Sequence, residues 1–235
     1  MLLEKAKQYE ANHEYEKAYT LYMAATNIEE CAAEAYYRIG YMHFEGNSYV
    51  EADQPKGCKY YEMAYERGFA DFRPGDYLMM GSYRQYDVKE GIRYGLTKDL
   101  KLALEFYKLT LKTALDEGKQ PEELEYVYST IGQVLLEDEV QNFEMAYNFF
   151  MCSPHDIRSW YYLAEMYAFG KYVKQNLLKA AIILDQIVKS PPDVWAPDDM
   201  YREYAAKALE EIHENVKYEE GEGMGMVVFI QDGVK

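Results

Sequence analysis

The side chains in this sequence best suited to metal binding or nucleophilic chemistry are four histidines and three cysteines: His13, His43, His155, His213, Cys31, Cys58 and Cys152. A zinc site needs three or four such ligands at one place, and helical zinc hydrolases place two histidines one turn apart as H-E-x-x-H. No such spacing occurs. In "HFEG", His43 and Glu45 stand two residues apart, which points them to different faces of a helix. Packing is therefore the expected role of His43. The cysteines are odd in number, widely spaced and free of any C-x-x-C pair, which predicts small core residues and not a disulfide framework. The glycines of "EGEGMG" follow no strand and open no helix, so they make no phosphate loop. There is no G-x-S-x-G, and "LLEDEV" reads as a solvated acidic turn. The chain is expected to be no enzyme, with no catalytic residue, no metal and no cofactor.

Composition narrows the partners. Forty-one acidic residues against 25 basic ones give a formal net charge of −16, and 49% of residues are hydrophobic, as in a folded protein. So negative a chain repels nucleic-acid phosphates and anionic membranes, whose recognition needs basic patches. A protein or peptide partner of basic or aromatic-rich character fits better. The start, "MLLEKAKQYEANHEYEK", is charged too early for a secretory signal, and no apolar run approaches the roughly 20 residues that cross a bilayer. A cytoplasmic location is expected.

What positions the side chains is a repeat. "DQPKGCKYYEMAYERG" returns as "DLKLALEFYKLTLK" and "NLLKAAIILDQIVK". A small residue (Ala18, Gly57, Ala103, Ala146, Ala180) is followed at the third and fourth positions by a large apolar pair: Leu21-Tyr22, Tyr60-Tyr61, Phe106-Tyr107, Phe149-Phe150 and Ile183-Leu184. At the seventh come Ala25, Ala64, Thr110, Ser153 and Ile187. That i, i+3, i+4, i+7 spacing is one stripe of a helix. Asp53, Asp99, Asn142 and Asn176 precede four of these helices as N-caps. A second helix lies upstream of each, marked by Ile39-Gly40, Met80-Gly81, Ile131-Gly132 and Leu163-Ala164. A glycine inside a helix costs ~1 kcal/mol against alanine, so its recurrence predicts close helix–helix contact there. Pro74, Pro121 and Pro154 fall where first helices should begin, with Ser153 as the cap before Pro154. The stretch from about residue 197 to 217 reads as a terminal capping helix with a polar outer face.

These residues resemble the Sel-one-like repeat family, relatives of tetratricopeptide repeats. "LAEMYAFGKYVKQNLLKA" (163–180) follows that pattern through Leu163-Ala164, Tyr167, Gly170, Val173, Asn176 and Lys179-Ala180. "IGYMHFEGNSYVEADQPKG" (39–57) follows with one insertion, and "YGLTKDLKLALEFY" keeps Gly95, Leu96, Asp99 and Ala103 after a longer one. The segments 2–26 and 131–146 depart from it and read as plain tetratricopeptide units, the second of them lacking the loop glycines. The resemblance implies an all-α, right-handed α-solenoid of about five helix-turn-helix repeats with a C-terminal capping helix. The expected domains are residues 1–217 for the solenoid and 218–235 for a flexible linker and short apolar tail.

The resemblance further implies that first helices line a concave face. Residues beside the Leu-Gly pairs then point into a groove: Tyr37, Tyr41, Ser82, Gln85, Gln133, Tyr161 and Glu165. Tyrosine offers large contact area with a polar tip, so the expected function is a scaffold or adaptor that binds a peptide or protein in that groove. The alternative is a self-associating structural protein. In it the β-prone tail residues Val227, Val228, Phe229 and Ile230 dock into the chain's own groove or a neighbour's, giving a homo-oligomer.

Overall fold

The computed structural model describes residues 2–190, 198–215, 217–220 and 227–230. The chain divides into two units, residues 1–118 and 119–235. In the first, α1 (Leu2–Ala11) and α2 (Tyr15–Ala25) form one hairpin, and α3 (Glu29–Glu45) and α4 (Gln54–Tyr65) the next. A third is made by α5 (Pro74–Gln85) and α7 (Leu100–Asp116), with the short α6 (Lys89–Ile92) between them. The second unit begins with a 3-10 turn (Pro121–Leu124) and pairs α8 (Glu125–Val134) with α9 (Phe143–Met151), then α10 (Ile157–Phe169) with α11 (Leu177–Lys189). Helix α12 (Asp198–Asn215) follows, then strands β1 (Lys217–Glu220) and β2 (Val227–Ile230). Within each unit the hairpins stack in chain order, α2 on α3 and α4 on α5 in the first, α9 on α10 and α11 on α12 in the second. This is the all-α repeat fold that the periodicity predicts.

One pair of hydrogen bonds recurs in four hairpins and sets the entry of each second helix. The side chains of Asp53, Asp99, Asn142 and Asn176 accept from the amides of Lys56, Leu102, Met145 and Lys179 at 2.9–3.1 Å. Their own amides donate back to the carbonyls of His43, Arg84, Leu135 and Tyr167 at 2.7–2.9 Å. The cap therefore satisfies a free helix N–H and ties the loop to the preceding helix at once. The glycines of the first helices are contact points. A Cβ on Gly40, Gly81 or Gly132 would stand 2.4–2.6 Å from the ring of Tyr61, Tyr107 or Phe150.

Three local expectations change. Helix α10 starts at Ile157 with Asp156 as its cap. Ser153 is buried and bonds back to the Phe149 carbonyl, and Pro154 lies in the turn before the helix. Of the cysteines only Cys58 is fully buried; Cys31 is half-buried and Cys152 is exposed, because it caps the C-terminus of α9 beyond the apolar stripe. The long insertion before α7 contains its own helix, α6. At the C-terminus β1 and β2 pair antiparallel, Lys217 opposite Ile230 and Glu220 opposite Val227. Strand β2 runs beside α11 and β1 beside α12.

Candidate functional site

The two halves of the expected groove residue set lie in different units. In the first, Tyr37 on α3 is committed to packing. Its ring stacks on Phe69 at 4.3 Å and on Tyr61 at 5.4 Å, and its hydroxyl donates to the buried Asp76 carboxylate at 3.2 Å. Burial, followed by the Asp76 charge, pushes its pKa up to about 12. Tyr41 lies under the Arg73 guanidinium, 5.0 Å from its ring centroid. Ser82 bonds to the Leu78 carbonyl, and Gln85 is buried, accepting the Tyr107 hydroxyl at 2.6 Å and donating to that of Tyr86. Gln133 is half-buried on α8 in the second unit.

Tyr161 and Glu165 are placed differently. They stand one turn apart on α10, facing a cavity of about 450 Å³ that α10 forms with α11 and α12. Helix α10 is fixed by its Asp156 cap at one end and at the other by Gly170, whose φ of 69° ends the helix in the left-handed region. Ala164 and Leu184 form the buried floor with Ile212. Phe169 and Tyr204 make an aromatic rim, 68% and 46% exposed, and Lys207 and Glu211 bring charge from α12. Tyr161 packs edge-on against Tyr201 at 5.6 Å and donates to Glu165 Oε1 at 3.3 Å. Desolvation raises the pKa of both, Tyr161 to about 12, while Lys171 and the Tyr161 hydroxyl only partly offset the rise at Glu165. A carboxylate held this way in an apolar groove gains from any cation brought to it.

The far wall, α12, has only a capping role in the sequence reading, and Phe169, Lys207 and Glu211 are absent from its groove set. An exposed phenylalanine directly before a helix-ending glycine was the available signal for Phe169. The tail residues Val227, Val228, Phe229 and Ile230 form β2. Among the described residues no group of three or more His, Cys, Asp or Glu side chains could hold a metal. No helix among them is long and apolar enough to cross a membrane.

The Sel1 repeat family model matches residues 33–69, 78–110 and 161–185. These are the α3–α4, α5–α7 and α10–α11 hairpins, the ones whose loops carry a left-handed glycine: Gly46, Gly95 and Gly170. Among solved structures, the chain is similar to c5321, a protective antigen of uropathogenic Escherichia coli with an SLR fold, at 22% identity and a TM-score of 0.42. That match covers 85% of this chain and 37% of that one. It is also similar to a Sel1 repeat protein from Oxalobacter formigenes at 18% identity and a TM-score of 0.43, covering 84% and 49% respectively. The chain thus spans less than half the length of either. No curated protein matches it. Within this all-α repeat protein, then, three of the hairpins match the Sel1 repeat, over residues 33–69, 78–110 and 161–185.

Proposed function

We propose that this chain is a noncatalytic scaffold that receives a peptide segment of a partner protein in the groove between α10 and α12. Sel1 repeat proteins generally mediate protein–protein contacts. The observation that carries the reading is the cavity floored by Ala164, Leu184 and Ile212, with Tyr161 and Glu165 facing it. Its volume is that of a small-ligand pocket, with room for a large apolar side chain and part of its peptide, which Phe169 and Tyr204 would flank. The half-buried Glu165 carboxylate favours a lysine or arginine beside that anchor, in keeping with the chain's charge of −16. The test is an array of short peptides pairing a leucine or phenylalanine with one arginine at varied spacing, followed by calorimetry on the best binder. Glu165→Gln and Tyr204→Ala should each weaken it about tenfold or more, the scale of ~1.4 kcal/mol for one good contact. An array without binders, or a binder indifferent to both substitutions, overturns the reading.

The second reading, self-association through the tail, is supported by the pairing of β2 with β1 and its course beside α11. Sedimentation of a chain ending at Lys217 separates the two. Loss of an oligomer with new access to the groove favours the tail as occupant, and an unchanged mass removes it.

A further inference from the structure

Outside the groove, the α10–α11 loop carries a feature that packing alone does not require. Tyr172 has φ 64°, the left-handed region where a side chain costs ~1–2 kcal/mol, yet it is 53% exposed. Its ring leans on Tyr147 of α9 at 5.6 Å, and the Tyr147 hydroxyl meets that of Tyr167 at 3.2 Å. Lys179 of α11 donates to the same Tyr167 hydroxyl at 2.6 Å. Beside this cluster the Lys171 ammonium lies between the rings of Phe143 and Phe169, 5.7 and 5.8 Å from their centroids. From Glu165 to Asp185 the chain has no acidic residue, although acids outnumber bases 41 to 25 overall. Lys171, Lys174 and Lys179 fall in that stretch, and Lys171 and Lys174 make no ion pair among the described residues. The acids that face it are Glu144, 3.5 Å from the Tyr172 hydroxyl, and Glu165, whose charge Lys171 feels.

The first unit holds the same aromatic frame with different charge. Tyr49 leans on Tyr19 at 5.8 Å, and the Tyr19 hydroxyl meets His43 Nε2 at 3.3 Å. There the loop continues into Glu51 and Asp53, and Tyr49 has no left-handed backbone. The aromatic frame is therefore shared with the α3–α4 hairpin, whereas Lys171, Lys174 and the strained tyrosine have no counterpart there.

We propose that the edge made by this loop and α9 is a second docking surface, taking an acidic segment of a partner protein that carries an aromatic side chain. Lys171 and Lys174 pair with its carboxylates, and Tyr172 receives the ring. A nucleic acid or an anionic membrane is a long polyanion and meets the field of the whole chain, whose net charge is −16. A short acidic peptide samples only charges within a Debye length, about 8 Å at physiological salt.

The experiment is fluorescence anisotropy at 100 mM NaCl, with a labelled peptide of glutamate pairs interleaved with phenylalanine. A twin carrying serine for phenylalanine and phosphatidylserine vesicles serve as alternative ligands. The intact chain should bind the first peptide at least fivefold more tightly than the serine twin. Lys171→Glu/Lys174→Glu should cost tenfold or more. Tyr172→Gly, which relieves the backbone and so keeps the fold, should cost at least threefold. Tyr49→Ala should change nothing, and Glu165→Gln, which removes a negative charge that Lys171 feels, should not weaken binding here although it weakens the groove's ligand. No binding up to 1 mM, equal binding by the lysine variant, or stronger capture of the vesicles overturns the proposal.

Discussion

A methyl group added at Gly81 would sit 2.6 Å from Cε1 and 2.8 Å from Cδ1 of Tyr107. That ring cannot step aside, because it is 1% exposed and its hydroxyl is tied to Gln85. Gly81→Ala should therefore lose more to overpacking, about 1–3 kcal/mol, than it gains from helix propensity, ~1 kcal/mol. The chain contains its own control. In the α10–α11 hairpin the equivalent pair is Ala164 with Leu184, and both lie in one buried cluster. The smaller partner admits the methyl. In Gly81→Ala/Tyr107→Leu the two changes should then cost less together than apart, with a coupling of about 1 kcal/mol or more between them. Urea unfolding of the four proteins measures it, and strict additivity would sink the contact argument. At this scale the sequence was readable where the repeat was kept: three glycines with three rings, and four caps. It was unreadable where one residue serves a neighbour, as Tyr37 serves Asp76, since nothing in the spacing announces a buried carboxylate 39 positions away.

The element that departs most from the repeat is the segment between α5 and α7, which Asp53 holds through Arg93 and Tyr94 and which Arg84 holds through its carbonyls. Arg84 occupies the position taken by His43, Leu135 and Tyr167 in the other hairpins, where the carbonyl accepts the cap amide. Its guanidinium grips the buried Glu62 through Nε and Nη2, at 2.6 and 2.5 Å. Through Nη1 it donates to the carbonyls of Gly95 and Thr97 at 3.3 and 3.0 Å. Arg84→Ala leaves Glu62 buried and unpaired, an effect of about 3–5 kcal/mol in comparable pairs. Replacing both, as Glu62→Leu/Arg84→Met, should restore most of the global stability, because a packed apolar pair needs no desolvation of charge. Amide exchange over residues 86–99 should stay fast in both variants, since the loop carbonyls have lost their donor. Slow exchange there in either variant would show that α6 holds the loop without Arg84. Helix α6 itself was illegible: four residues give no periodicity, and the anchoring contact spans 22 positions between Glu62 and Arg84.

Taken as a whole, the molecule is legible in inverse proportion to distance along the chain. The pairing of helices within each hairpin follows from stripes and caps a few residues apart, so it could be read directly. The groove joins Tyr161 to Lys207 and Glu211 across an entire hairpin, and only the α10 half was visible. Charge is the property of the whole chain that sequence does give, and it makes opposite demands on fold and binding. With 41 acids and 25 bases the folded chain repels itself, and its exposed pairs, such as Lys112–Asp116 and Lys189–Asp185, return little. Raising salt from 10 to 150 mM shortens the Debye length from about 30 to about 8 Å. Thermal unfolding midpoints should rise by about 2–5 °C as the repulsion is screened. Over the same range the lysine edge at Lys171 and Lys174 should bind an acidic peptide more weakly, because screening removes the local attraction on which it depends. A midpoint that falls with salt would mean that surface ion pairs outweigh the net charge. Peptide affinity that ignores salt would mean that the aromatic rings, not the lysines, do the binding.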